Sequence, residues 1–443
     1  MRENGGRYHL LTFGCQMNKY DSEKIEGLLA REGLTATANP EEADLILLNT
    51  CSIRDKAEHK VFSKLGILSA AKRPDQLIAL GGCMASLRKE DIFRRAPMVD
   101  MVFGPDAIER LPQMIGDFRA TRARQIDVAF NDTATWDRPE DGAVRESATV
   151  AWVGIMKGCD NRCTYCVVPD TRGPEVSRPA GSILAEVKGL AAKGYKGINL
   201  LGQNVNSYGK GLPSSAGFPG LLRMVNKVEG VERIRFMTSH PKDLNDGLIA
   251  AMMECKKVSP SFHLPLQAGS DRILGLMRRG YTAAEYMEKI RRLKNAAPHI
   301  TISADIMIGF PGETEAEFLD TIRVMEEVAF DSLFLFNYSP RPGTPSAECT
   351  DMVPRAVSRE RFDRAMLLQR KIVAQKNMLL VGTTQQVLCE GAAERPGAVY
   401  GRTPGNHLVV FEGEPLLAGR TLPVTITSFS GYNLSGTLAQ GGL

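Results

Sequence analysis

Three cysteines fall within eight residues of one another in KGCDNRCTYCVVP, and their positions, Cys159, Cys163 and Cys166, restrict what the surrounding segment can become. An apolar run over 150–156 leads directly into them, so the loop that carries them is expected at the end of a strand. Three thiolates on one short loop can grip one metal centre. A structural zinc site normally takes four ligands. No histidine lies between His59 and His240, however, and the nearest other cysteines are Cys83 and Cys255. Three ligands with one open position suit a 4Fe-4S cluster whose fourth iron binds a small molecule, and iron-sulfur chemistry with S-adenosylmethionine is a route to radicals. Zinc completed by a remote residue is the competing reading.

A second set of cysteines is dispersed. Cys15 lies in FGCQMN, Cys51 in NTCSIR and Cys83 in GGCMAS. Apolar runs at 8–13, 44–50, 76–80 and 99–103 read as strands, and the stretches 19–31, 54–71 and 85–95 read as helices between them. This βαβ series predicts an α/β domain built on a doubly wound parallel sheet. Each of the three cysteines follows a strand end, and the carboxyl ends of such a sheet share one edge outside which ligands bind. Convergence on a second cluster is therefore expected; the competing reading is that each thiol is a small buried hydrophobe. Cys255, Cys349 and Cys389 stand in unrelated contexts and are assigned to packing. Nine cysteines is an odd number, and MRENGGRYHLLTFGC carries no signal-peptide pattern. A disulfide framework is thereby disfavoured and a cytoplasmic location expected.

With 443 residues the chain exceeds one ordinary core. Residues 1–130 form the expected N-terminal domain, the polar stretch 131–147 a linker, 148–380 a central domain and 381–443 a small C-terminal one. Apolar runs at 150–156, 198–201, 234–237, 261–266, 301–308 and 333–337 predict a partial (βα)6 barrel, whose chemistry belongs at the carboxyl ends of its strands. In ADIMIGFPGETEAEF, Thr314 and Glu317 form a capping-box pattern that starts a helix. The long helix over 358–380 carries Arg359, Arg361, Arg364, Arg370 and Lys371, read as a solvated face. Beyond it the pattern is all β with Gly-rich turns, as in a five-stranded barrel of oligonucleotide-binding type. That tail has three basic and four acidic residues from Thr383 onward, and the whole chain carries +4, so nucleic-acid binding is permitted by charge but not demanded. No run of about 20 apolar residues is present, so no membrane span is expected.

The C-x3-C-x2-C loop with Tyr165 before its last cysteine resembles the radical S-adenosylmethionine superfamily. The N-terminal cysteine triad and the C-terminal β barrel, of TRAM type, resemble its methylthiotransferases. The strings NTCSIRDKAE, LGQNVNSY, RFMTSHP, HLPLQAGSDRIL and YSPRPGTP are similar to the branch that acts on isopentenylated transfer RNA, whereas VVPDTRGPEVSR departs from that branch at Asp170 and Pro174. The resemblance implies two 4Fe-4S clusters, one on Cys159, Cys163 and Cys166 that cleaves S-adenosylmethionine, and an auxiliary one on Cys15, Cys51 and Cys83 that supplies sulfur. It further implies that Gln203, Asn204, Ser239, Gln267, Ile308 and Gly309 face cofactor or substrate. The implied partners are the anticodon stem-loop of transfer RNA, a flavodoxin- or ferredoxin-type electron donor and a sulfur donor, with the enzyme a monomer. His240 is open to two readings, proton donor or structural histidine. The rival readings are a methylthiotransferase acting on threonylcarbamoyl-adenosine or on a ribosomal aspartate, and a non-catalytic iron-sulfur RNA-binding protein.

Overall fold

A computed structural model describes residues 6–52, 55–130, 145, 147–213 and 215–439, without the side chains of 55–57. The expected linker therefore lies outside the described residues, Arg145 and Ser147 excepted. Two compact units divide the chain. One comprises Met1–Glu146, Met156–Asn161 and Cys166–Arg178, the other Ser147–Ile155, Arg162–Tyr165 and Pro179–Leu443.

The first unit opens with β1 (Arg7–Thr12), α1 (Gln16–Arg31), β2 (Thr35–Ala36), β3 (Leu45–Thr50), α2 (Asp55–Ala70) and β4 (Leu77–Gly82). Then come α3 (Cys83–Arg88), α4 (Asp91–Arg95), β5 (Met101–Phe103), α5 (Leu111–Thr121) and β6 (Gln125–Asp127). The strands make one parallel sheet in the order β2-β1-β3-β4-β5-β6. From β1 the chain goes first to one side and then to the other, so the switch point lies between β1 and β3. Both faces are covered, which explains the unbroken apolar run LILL: Leu45 and Leu47 pack with Ile25, Leu29 and Leu111, while Ile46 and Leu48 pack with Val61, Leu65 and Met84. The helix expected over 85–95 is in fact two, because Lys89 adopts a left-handed backbone (φ 48°) that cannot continue a helix. β2, α5 and β6 went unread; the two strands have only two and three residues, too short for a periodic signal. Also in this unit, β8 (Met156–Lys157) pairs antiparallel with β9 (Val176–Ser177), and between them lies the short helix α6 (Val168–Arg172).

The second unit begins with β7 (Val150–Gly154), followed by α7 (Ala180–Ala192), β10 (Gly197–Leu201), α8 (Gly217–Asn226), β11 (Arg233–Phe236) and α9 (Asp246–Glu254). It continues through β12 (Ser261–His263), α10 (Asp271–Leu276), α11 (Ala283–Ala296), β13 (Thr301–Ile308), α12 (Glu315–Val328), β14 (Ser332–Asn337) and α13 (Arg355–Leu380). The six parallel strands form two three-stranded sheets, β11-β10-β7 and β12-β13-β14, and an isolated bridge links Ile234 to Val258 just before β12. Thr314 and Glu317 form the capping box expected at the start of α12, and Thr282 with Glu285 makes another at α11. Five further strands, β15 (Thr384–Ala392), β16 (Ala398–Arg402), β17 (Leu408–Glu412), β18 (Thr421–Ser430) and β19 (Asn433–Leu438), close a barrel in the order β15-β16-β17-β19-β18. Among the described residues no helix is long and apolar enough to cross a membrane.

The basic row on α13 is not simply a solvated face. Arg361 is 5 % exposed and bonds Glu313 at 3.1 Å and Glu315 at 3.0 Å. Its carboxylate partners lie on the loop and first turn ahead of it, a tertiary coincidence that a one-dimensional charge pattern does not carry.

Buried charge also binds the C-terminal barrel to the strands of the same unit. Arg235 on β11 donates to the carboxylate of Glu390 on β15 at 3.0 Å, with both side chains about a tenth exposed. Glu390 also faces Arg402 at 3.5 Å, and the guanidinium of Arg233 donates to the carbonyls of Arg402 and Gln386. Burial disfavours the charge on Arg235 and Glu390 opposes that effect. Glu390→Ala, which strands this buried cation, should cost about 3–5 kcal/mol in chemical denaturation; a loss below about 1 kcal/mol, typical of an exposed pair, would show that the contact does not fasten the barrel.

Candidate active site

The edge formed by the carboxyl ends of β1, β3 and β4 receives all three dispersed cysteines. Cys15 is the N-cap of α1, Cys51 directly follows β3, and Cys83 directly follows β4 as the first residue of α3. Cys15 and Cys51 thus flank the switch point of the sheet, where open α/β sheets bind ligands. The backbone around them leaves no space for additional side chains. Gly14 has φ 131°, and a Cβ there would collide with Cβ of Cys51; Gly82 has φ 93°, and a Cβ there would strike the Thr50 carbonyl and Asn49. Glycine is needed at both places because the chain turns in left-handed backbone against a neighbouring strand end.

Underneath lies a polar brace that was not read from the sequence. Asn18 donates to the Thr50 carbonyl at 2.9 Å and to Asn49 at 3.2 Å, while Asn49 donates to the Asn18 carbonyl at 2.7 Å and to Ser22 at 3.0 Å. Both asparagines are buried and so need such partners. The brace fixes α1 against β3 and hence Cys15 against Cys51. Its sequence signal was faint: an Asn three residues after one cysteine and another two residues before the next.

Arg172, the last residue of α6, enters the same edge. Its Nε donates to Sγ of Cys83 at 3.2 Å and its Nη2 to Asp21 at 2.7 Å, both side chains being under a tenth exposed. Burial works against its charge, but Asp21, Cys83 and Cys15 outweigh burial and keep the guanidinium charged. A hydrogen bond from Cys51 brings the Cys15 thiol down to about 6; burial opposes this, and Arg172 with the backbone N–H groups of Asn18 and Met17 adds to it. Burial pushes Cys83 up, against Arg172. The Gly cradle and the acidified thiol fit a thiolate-ligated cluster, although among the described residues no three His, Cys, Asp or Glu side chains close to metal-binding spacing.

The compact cysteine loop is also tightly determined. Gly158 has φ 70°, and a Cβ there would run into the Gly173 and Pro174 carbonyls. Cys159 N–H donates to the Gly173 carbonyl at 3.2 Å, Asn161 donates to the Cys159 sulfur at 3.4 Å, and Val168 N–H reaches the Cys166 sulfur at 3.5 Å. Arg279 donates to the Cys163 sulfur at 3.3 Å and to Tyr281 at 3.0 Å. Burial opposes its charge, and Tyr165, Tyr281 and Cys163 override that effect. Arg279 was not singled out in sequence, because RRG gives no hint that one arginine turns inward.

At the strand ends of the second unit, Gln203 and Asn204 follow β10, and each has a buried side-chain oxygen, Oε1 and Oδ1, without a hydrogen-bond partner among the described residues. Asn204 is anchored through its amide nitrogen to Asp243 at 2.7 Å. Gln267 is buried and in left-handed backbone (φ 70°); Thr238, just before Ser239, is exposed and also has positive φ (68°). Ser239 donates to the His263 carbonyl. Ile308 ends β13; its carbonyl accepts from Tyr338 N–H at 2.8 Å, and Gly309 N–H donates to Glu313 at 2.9 Å. One backbone group of each residue is thus bonded within the chain. For His240 the structural reading is favoured: burial, aided by Arg279, Lys242 and Lys289, pushes it down to about 2, and its Nδ1 accepts from Lys242 N–H. It therefore stays neutral.

The lowered Cys15 thiol gives a direct expectation for metal-free protein. Alkylation of Cys15 should rise through pH about 6 and level off by pH 8, because the thiolate predominates above its pKa. Cys83, pushed up by burial, should react slowly throughout; peptide mass spectrometry showing equal rates at pH 7 would contradict this assignment.

Comparison with known proteins divides the chain in the same order. Residues 7–104 match Uncharacterized protein family UPF0004, 153–325 the Radical SAM superfamily and 379–439 the TRAM domain. In fold the chain is similar to TsrM, a radical S-adenosylmethionine methyltransferase from Kitasatospora setae, with a TM-score of 0.58 and 15 % identity over 77 % of this chain and 75 % of that one. It is also similar to the cobalamin-dependent radical enzyme OxsB, with a TM-score of 0.53 and 13 % identity over 84 % of this chain and 56 % of that one. The tRNA-2-methylthio-N(6)-dimethylallyladenosine synthase of Geobacter metallireducens is 46 % identical over 97 % of this chain and 98 % of its own. Those of Bordetella bronchiseptica and Pelotomaculum thermopropionicum are 45 % and 44 % identical, each over 98 % of this chain and 92 % and 98 % of their own. With identity of this extent across nearly its whole length, the chain belongs to the tRNA-2-methylthio-N(6)-dimethylallyladenosine synthase family of the radical S-adenosylmethionine superfamily.

Proposed function

We propose that the chain attaches a methylthio group to N6-isopentenyladenosine beside the anticodon of transfer RNA, using two molecules of S-adenosylmethionine per turnover. The observation that carries this reading is a pair of separate cysteine sets, one at the strand carboxyl ends of a parallel sheet and one on a single short loop, in a chain 46 % identical to a synthase of that name over almost its full length. When bound, a cluster on Cys159, Cys163 and Cys166 supplies an electron that converts S-adenosylmethionine into a hydrogen-abstracting radical, and one on Cys15, Cys51 and Cys83 supplies sulfur.

The remaining chemistry lies with the chain's own side chains. The target is an aromatic C–H, which is not acidic, so a general base has little to offer; a histidine held neutral near the strand ends suits that requirement. The oxygens of Gln203 and Asn204 are acceptors for donor groups of cofactor or nucleoside, since a buried oxygen left without a bond is costly. Arg279 holds a positive charge at the Cys163 sulfur. A five-carbon prenyl group contributes roughly 0.8 kcal/mol per buried methylene, which suffices to favour prenylated over unmodified adenosine. The C-terminal barrel anchors the anticodon stem-loop. The reading further requires a flavodoxin- or ferredoxin-type electron donor and a donor that restores sulfur, and treats the enzyme as a cytoplasmic monomer.

Anaerobic reconstitution tests the division of labour. Replacing Cys159, Cys163 and Cys166 together by Ala should remove about half of the iron and abolish 5′-deoxyadenosine formation. Replacing Cys15, Cys51 and Cys83 should remove a similar share, spare 5′-deoxyadenosine formation and stop sulfur insertion. Loss of cofactor cleavage in both would argue against separate roles.

The substrate is tested by nucleoside mass spectrometry of transfer RNA from a strain lacking the gene. The methylthio-isopentenyl nucleoside should vanish and return on complementation. Its persistence, with loss of a methylthiolated threonylcarbamoyl nucleoside or of a modified ribosomal aspartate, would move the assignment to another branch.

A further inference from the structure

We propose that Arg172 is a positioning residue of the auxiliary site: anchored by Asp21, its guanidinium orients Cys83 and places a fixed positive charge beside the sulfur ligands. The inference rests on the reading that Cys15, Cys51 and Cys83 hold a second cluster. It starts from an apparent mismatch. Arg172 lies six residues beyond Cys166 in sequence, yet its side chain serves the other cysteine set, with Nε 3.2 Å from Sγ of Cys83 and Nη2 2.7 Å from Asp21. An arginine 6 % exposed is strongly destabilising unless paired. Pairing with Asp21 alone would satisfy the charge; the additional donor aimed at sulfur goes beyond that need.

Guanidinium geometry explains the choice of residue. Its donors are fixed in one plane, so a fork that bonds Asp21 on α1 with one nitrogen sets the direction in which another presents its hydrogen to Cys83 on α3. Groups that orient metal ligands in this way commonly change metal affinity 10–100-fold when removed (roughly, across metal sites). Hydrogen bonds to the sulfurs and net charge also set iron-sulfur potentials. α6 is well placed for this task because Gly173, its C-cap, has its carbonyl on Cys159 N–H. One short segment therefore supports a ligand of each cysteine set.

The test uses full-length protein in which Cys159, Cys163 and Cys166 are Ala, so that bound iron reports the auxiliary set alone. Arg172→Met, Arg172→Lys and Asp21→Asn are added singly. After anaerobic reconstitution, the measurements are iron per chain, the rate of iron release to a chelator and the midpoint potential from an EPR-monitored titration. Arg172→Met should release iron about ten-fold or more faster and have a more negative potential, because a neighbouring positive charge favours the reduced cluster. Arg172→Lys should keep the potential near that of the parent while releasing iron faster, since it retains charge without the fork. Asp21→Asn should shift the potential in the positive direction. Opposite shifts from the two partners are not expected of a merely structural ion pair. If Arg172→Met fails to fold, the Lys and Asn variants carry the same test. Unchanged potential and release rate in a parent that binds iron overturn the inference and leave the two-cluster reading intact. A parent that binds no iron overturns that reading, and the inference with it.

Discussion

Parallel strands joined by crossovers present all their carboxyl ends on one edge, and the dispersed cysteine set depends on that constraint. In the first unit it brings together Cys15, Cys51 and Cys83 from positions that are far apart in sequence, because each follows a strand of the same sheet. In the second it aligns Gln203, Ser239, Gln267 and Ile308, which follow or end four different strands. No local preference of the residues produces this gathering. It follows from an unbroken apolar run such as LILL, which is stable only when both faces of its sheet are covered, and covering both faces requires helices between the strands.

Around these edges the chain buries cations beside the groups they serve. Arg172 lies between Asp21 and Cys83, Arg279 between Tyr281 and Cys163, Arg235 against Glu390, and Arg361 against Glu313. Each is under a tenth exposed or close to it. Isolated cations at such depth would be strongly unfavourable, so every one fixes the position of its partner. The first two contact Cys83 and Cys163; the others fasten the C-terminal barrel to β11 and the long helix to the loop and first turn of α12. This arrangement makes the barrel part of the same compact unit as those strands, and its removal would uncover Arg233 and Arg235.

Strand existence was legible wherever the apolar run was long, as at Leu45–Thr50 and Thr301–Ile308, and the order of a parallel sheet, a second series of parallel strands and a closed barrel followed from the change in periodicity along the chain. The capping box at Thr314 and Glu317 was legible because both of its partners lie within one turn. Lys89 was not, since its left-handed backbone interrupts a segment whose composition is helical throughout. The division of the six barrel strands into two sheets was equally hidden, because strand pairing depends on how far each strand extends beside its neighbour.

The cysteine residues and their spacing were determined by sequence alone, because Cys159, Cys163 and Cys166 lie within one stretch of eight residues. Family membership was legible for a related reason: short strings of residues need no three-dimensional context to be compared. Only the tertiary structure decided that Arg172 belongs with Cys83, which lies 89 positions earlier, that Arg279 belongs with Cys163, 116 positions earlier, and that His240 is held neutral. A buried ion pair or a displaced pKa depends on burial and on partners distant in sequence, and those exist only once the sheets have closed over them.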